Sequence, residues 1–173
     1  MKKLILTLLL LLSSNLMAAQ GSIYKKIINE PYDDYFPKLK KAIEANHMNI
    51  VSEIDLMSRF KEAGYQKKFG ADFNKNKLEK VTSLVICNGY VANQISNIDI
   101  EMMAFCPVRI SVIQRGGKTI VLFIKASGIA TNKKAASLLK SLDDVIVHTI
   151  DLSVDKYMEK SFAPSSFQGK HED

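Results

Sequence analysis

This sequence carries none of the short signatures that would name a reaction. It has no G-x-S-x-G nucleophile elbow, no phosphate-cradling P-loop and no dinucleotide-type glycine motif. Histidine is scarce: His47, His148 and His171 are the only three, so a nucleophile has few bases to activate it, and no two histidines have metal-site spacing. Cysteine is scarcer still. Cys87 and Cys106 stand alone, and their separation is unlike the C-x-x-C of a thioredoxin-type couple. There is no internal repeat. Nor is there a basic stripe interleaved with aromatics: Lys25, Lys38, Lys67, Lys75, Lys133 and the other lysines are scattered and recur near acidic residues. That pattern reads as a solvated surface and excludes a nucleic-acid partner.

What is present begins with a leader. Lys2 and Lys3 form a positive start, Leu4 to Leu12 an apolar run broken only by Thr7, and Ser13 to Ala19 a small-residue exit. Met17-Ala18-Ala19 approximates an A-x-A cleavage site, so residues 1–19 read as a secretory signal peptide cut after Ala19, with Ala18 as the alternative. The run is well short of the ~20 residues that span a bilayer, and no cysteine follows it to carry a lipid. The expectation is a periplasmic or secreted chain with no transmembrane segment after processing. Losing Lys2 and Lys3 lowers the formal charge from +6 to +4, a mild bias that suits anionic lipid or cell-wall polymer.

The rest reads as one α+β domain over residues 20–162, followed by a flexible tail at 163–173. A strand is expected over Ile23 to Asn29, ended by Pro31; a helix follows to about Asn46, capped by Asp33 or Asp34, with Pro37 tolerable only in its first turn. Asn49 to Met57 alternates as a strand, with Ile50, Ser52, Ile54 and Leu56 on one face and Val51, Glu53 and Asp55 on the other. Ser58 to Ala63 forms one or two helical turns closed by Gly64. Gln66 to Glu79 is polar and reads as a helix or loop bordering a binding site. Val81 to Cys87 is a strand, Asn88-Gly89 a turn, and Tyr90 to Asn97 a short helix. Val108 to Gln114 and Thr119 to Ala126 make a hairpin across Arg115-Gly116-Gly117-Lys118. Ala135, Leu139, Leu142, Ile146 and Ile150 keep a 3.6-residue period, predicting one long helix or two joined ones from Asn132 to about Lys160.

Several strings resemble the DUF302 family. Leu39-Lys40-Lys41-Ala42-Ile43-Glu44-Ala45-Asn46 leading into Ile50-Val51-Ser52-Glu53-Ile54-Asp55-Leu56 is similar to its amphipathic helix and "eID" strand. Val85-Ile86-Cys87-Asn88 resembles its "xxCNP" strand end, Ala92 the alanine of the next helix, and Phe105-Cys106-Pro107-Val108-Arg109-Ile110-Ser111-Val112 its "lPCrvvVye" strand. The sequence departs from that pattern at Gly89, at the order Cys106-Pro107, and at Ser127-Gly128-Ile129, where an Asp-Pro is usual. The resemblance implies a mainly antiparallel sheet packed against two helices in β-α-β-sheet-α order, similar to half of the TATA-binding-protein fold. It allows a homodimer and implies no established activity.

The two cysteines then acquire a setting. Cys106 shares strand parity with Val108, Ile110 and Val112, and Cys87 ends a separate strand with the parity of Val81 and Val85. If those ends are adjacent, a disulfide closing a loop of about 20 residues would stabilise by roughly 3 kcal/mol. Two reduced structural thiols, or a redox or ligand-binding pair, are the alternatives. Cys87, Asn88, Met102, Met103 and Cys106 are the candidate ligand-binding residues, at the meeting of Asn88 to Asn97, Asp99 to Cys106 and Gln66 to Glu79. The expected role is a binding or accessory module of the cell envelope, taking a small ligand or an envelope protein and needing no cofactor. The alternative is a thiol-redox or soft-metal protein holding copper or haem through Cys87, Cys106 and Met102 or Met103, with His47-Met48 as further donors. Against it, methionines beside apolar strands ordinarily fill core gaps. Glu53 and Asp55 are a candidate carboxylate pair, read more simply as the polar face of a strand. Catalysis is the minority reading.

Overall fold

The computed structural model describes residues 21–130, 132–154 and 167. The leader at 1–19 and, apart from Phe167, the tail at 163–173 lie outside them.

Five strands form one antiparallel sheet in the order β1-β5-β4-β3-β2. β1 is Ile23–Ile28, β2 Asn49–Asp55, β3 Lys80–Cys87, β4 Val108–Arg115 and β5 Lys118–Ile124. The central three strands carry the β-branched runs that the sequence shows, while β1 and β2 are the edges. β4 and β5 join through Gly116 and Gly117, whose φ of 58° and 71° is the left-handed pair that a two-residue turn requires.

One face of the sheet is covered by helices. α1 (Tyr32–Ala45) and α5 (Lys133–Leu152) are the long ones, and α4 (Gly89–Ile98) is a shorter third. Residues paired across the ladder share a face, so the row Tyr24, Phe123, Ile110, Leu84 and Glu53 runs across the sheet on the helix side. Phe123, Ile110 and Leu84 are buried there against Tyr35, Leu39 and Ile43 of α1 and Leu139, Ile146 and Ile150 of α5. Tyr32 and Tyr35 fasten the N-terminal end of α1, through hydrogen bonds from Tyr32 to Thr82 at 2.7 Å and between the Tyr35 and Ser153 hydroxyls at 2.8 Å. Two short helices, α2 (Leu56–Glu62) and α3 (Tyr65–Phe69), lie between β2 and β3.

Three local expectations are corrected. Pro31, not Asp33 or Asp34, occupies the cap position of α1; both aspartates lie in its first turn, and Asp33 is held by Lys80 at 2.6 Å. Pro37 sits inside that helix, beyond the first turn. The alternation of β2 is broken by a bulge between Ile50 and Ser52: Ile50 pairs with Ile86 on the helix side, but past the bulge it is Glu53 and Asp55 that pair with Leu84 and Thr82, and Ile54 turns to the other face. An inserted residue reverses every side chain after it, which period-two reading cannot detect.

Candidate functional site

The β3–β4 ladder ends on the pair Ile86–Val108. Cys87 follows that pair and Cys106 precedes it across Pro107, so the register itself brings the two cysteines together at one corner of the sheet. Both are free thiols, half-buried and within hydrogen-bonding reach of one another. Burial first, and then the neighbouring Cys87 sulfur, push the Cys106 thiol up to about 11, so it is held protonated at neutral pH.

Around them the chain is arranged by caps. Asn88 ends β3 and starts α4: its Oδ1 accepts the Val91 N–H at 2.9 Å, while its Nδ2 donates to the carbonyls of His47 at 2.8 Å and Phe167 at 3.1 Å. The next turn, Ile100–Phe105, starts on Asp99, which accepts the Glu101 N–H at 3.0 Å and a hydrogen bond from Asn132 at the head of α5, also at 3.0 Å. That turn carries Met102 inward, 3% exposed. The loop between α1 and β2 carries Met48 inward as well, 2% exposed. Val91 and Ile95 of α4 and Leu139 and Leu142 of α5 complete an apolar cavity in which Met48, Cys87, Met102 and Cys106 are all wall residues. Its room is about 20 Å³, which is space for a single water-sized body.

Of the sequence-predicted site residues, Cys87, Asn88, Met102 and Cys106 thus surround one cavity, and Met103 is half-buried beside it without lining it. The Asn88–Asn97 and Asp99–Cys106 segments meet there. Gln66 to Glu79 does not: Glu79 bonds Gln114 at the far end of β3, and its aromatic residues Phe69 and Phe73 cluster with the preceding Tyr65 and Phe60 instead. The polarity of that stretch suggested a site border, whereas register places it a strand's length away. Met48 was legible only as a sequence neighbour of His47.

The other candidates are accounted for structurally. Glu53 pairs with Lys40 at 2.7 Å, and Asp55 caps α2 by accepting the Ser58 N–H at 3.0 Å and hydroxyl at 2.8 Å, which holds its carboxyl below the ordinary range. His148 is exposed on α5, and His47 is exposed at a left-handed φ of 58°. His171 lies outside the described residues. Sequence reasoning missed Asp143, on the buried face of α5, which accepts the Ala126 and Ser127 N–H groups at 3.1 and 2.9 Å. Burial outweighs those bonds and raises its carboxyl above the ordinary value. It also missed Asp151, which Tyr24 and Lys26 of β1 both contact. Burial opposes ionisation there, but the Lys26 and Tyr24 hydrogen bonds win and hold the carboxyl low.

Among the described residues no group of three or more His, Cys, Asp or Glu side chains gathers as a metal cage, and no helix is long and apolar enough to cross a membrane. A family model described as "Domain of unknown function DUF302" matches residues 24–152. A crystal structure of an uncharacterized conserved DUF302 protein from Bacillus stearothermophilus is similar in fold, with a TM-score of 0.66 at 15% identity, over 76% of this chain and 97% of that one. No curated protein matches the sequence.

Proposed function

The chain belongs to the DUF302 family, and from that premise we propose that it is an exported cell-envelope protein that binds one soft metal ion, Cu(I), at the Cys87–Cys106 corner. Export rests on the basic, apolar and small-residue pattern of residues 2–19. The observation that carries the metal reading is four sulfur-bearing side chains, two thiols and two thioethers, around one cavity of about 20 Å³.

Size and donor type favour a metal ion over the other candidates for this corner. Pockets for organic ligands run to about 300–1,000 Å³, so neither a small organic molecule nor a haem macrocycle enters here without opening the core. A single ion does. Zinc asks for four nitrogen, thiolate or carboxylate donors, and only Cys87 and Cys106 qualify. Thiolate with thioether donors instead selects Cu(I). Cys87 and Cys106 supply the thiolates, Met102 and Met48 the thioethers, and Asn88 is a positioning residue that holds the strand end against the head of α4. Binding displaces thiol protons to solvent, so the high proton affinity of Cys106 opposes uptake and the site should bind more tightly as pH rises.

Anaerobic titration of reduced protein with Cu(I) against a chromophoric Cu(I) chelator tests this. One equivalent should be withdrawn from the chelator by wild type and by Met103→Leu, and none by Cys87→Ser or Cys106→Ser. Failure of the reduced wild type to compete, or retention of copper by both serine variants, refutes the reading.

A further inference from the structure

The face of the sheet turned away from α1 and α5 has an unusual composition. Following the register, its positions include Ile23, Lys25 and Ile27 on β1; Lys118, Ile120, Leu122 and Ile124 on β5; Arg109, Ser111, Ile113 and Arg115 on β4; Val81, Ser83 and Val85 on β3; and Ser52 and Ile54 on β2. Aliphatic side chains dominate, four positions are basic, and none is acidic, in a chain with 18 Asp and Glu residues. Ile23, Ile27 and Ile124 remain 59%, 52% and 58% exposed.

This face is concave at one end. Leu56 of α2 and Ile54 wall one side, Ile23 and Ile124 the other, and Phe105 and Pro107 close the end, leaving a groove of about 680 Å³. Arg109 lies in its floor with Ser83 and Ser111, which face each other across β3 and β4. Among the described residues no acidic side chain lines the groove and no ion pair engages Arg109.

We propose that this groove, which shares only the walls Phe105 and Val108 with the sulfur cavity, is a second binding site for a single-chain amphiphile that ends in a carboxylate. The volume falls in the range of sites that enclose a ligand of that size. Aliphatic walls take the chain, and the planar guanidinium of Arg109 matches a carboxylate with two parallel hydrogen bonds. Charge complementarity selects this occupant over a second copy of the protein, since two such faces would oppose Arg109, Arg115, Lys25 and Lys118 to their own equivalents. The concavity selects a discrete molecule over a flat lipid surface.

The test is calorimetric titration with dodecanoate below its micellar range, with decanoate and dodecyltrimethylammonium as comparators. The expected result is saturable one-to-one binding of dodecanoate, weakened by up to about fourfold per methylene removed and absent for the cationic amphiphile. Arg109→Gln should weaken dodecanoate roughly tenfold or more, and Ile124→Glu should abolish it, with circular dichroism of both unchanged. A misfolded Ile124→Glu leaves the Arg109→Gln comparison to decide. Equal binding of both amphiphiles, no effect of Arg109→Gln, association only with phosphatidylglycerol vesicles, or a dimer by sedimentation that excludes dodecanoate would each overturn the proposal. Cys106→Ser must leave dodecanoate binding intact, which separates this site from the metal reading.

Discussion

Asn88→Ala removes more than a helix cap. The side chain satisfies the Val91 N–H through Oδ1, and ties two other segments through Nδ2, at the carbonyls of His47 and Phe167. Loss of a cap costs about 1 kcal/mol, and each buried hydrogen bond about 1 kcal/mol more, so the variant should lose about 3 kcal/mol. For a domain of this size that is a fall in Tm of about 10 °C. Asn88→Asp is the sharper substitution. On an ordinary exposed helix an aspartate cap is as good as asparagine and gains from the helix dipole. Here a carboxylate oxygen would face two carbonyl oxygens, so at pH 7 this variant should be at least as unstable as the alanine. Acidification through the range of the introduced carboxyl restores a donor and should recover part of the loss. Urea unfolding of the three proteins at pH 7 and pH 4 measures this. An Asn88→Asp protein as stable as wild type at pH 7 would show that the contacts to His47 and Phe167 contribute nothing.

Three further outcomes are expected. Gly117→Ala should cost about 1 kcal/mol in urea unfolding because φ is 71° there, while Gly117→Asn should cost less; equal stability of all three would contradict the two-residue turn. Asp151 binds its proton more weakly folded than unfolded, so its contribution is present above the unfolded value of 3.8 and lost as pH falls through the lower folded value. Asp143 has the opposite sign, and its protonation favours the fold as pH falls. Difference curves of stability against pH for Asp151→Asn and Asp143→Asn should therefore slope in opposite directions, and parallel curves would refute the assignment. Alkylation of Cys106 by iodoacetamide, followed by mass spectrometry, should be slow at pH 7 and rise about tenfold per pH unit toward pH 11; a flat profile would mean that burial does not govern this thiol.

The α+β class, the antiparallel hairpin and the long final helix were legible in the sequence because each has a period and a punctuating residue, as with Gly116-Gly117 and the Asn132 cap, whose Oδ1 accepts the Ala135 N–H at 2.9 Å. Parity correctly assigned Ile110 and Val112 to the buried face. It failed in β2, where one extra residue exchanged the two faces and turned the Glu53–Asp55 pair into a salt bridge and a helix cap. The corner was partly legible: the family strings marked both cysteines, but adjacency came only from the Ile86–Val108 register. Met48 had no signal of its own, because a buried methionine at a cavity wall and one in a core look alike in sequence. The cationic open face was invisible for the same reason, since Lys25, Arg109, Arg115 and Lys118 are scattered along the chain and converge only through strand pairing.

In the proposed site, four sulfurs at one corner hold a single copper ion. X-ray absorption at the copper edge on Cu(I)-loaded protein addresses it directly. An all-sulfur shell is expected in the Cu(I) state, with Met102→Leu removing a thioether while both thiolate contacts remain. A shell of nitrogen or oxygen, or a spectrum that Cys106→Ser leaves unchanged, would contradict it.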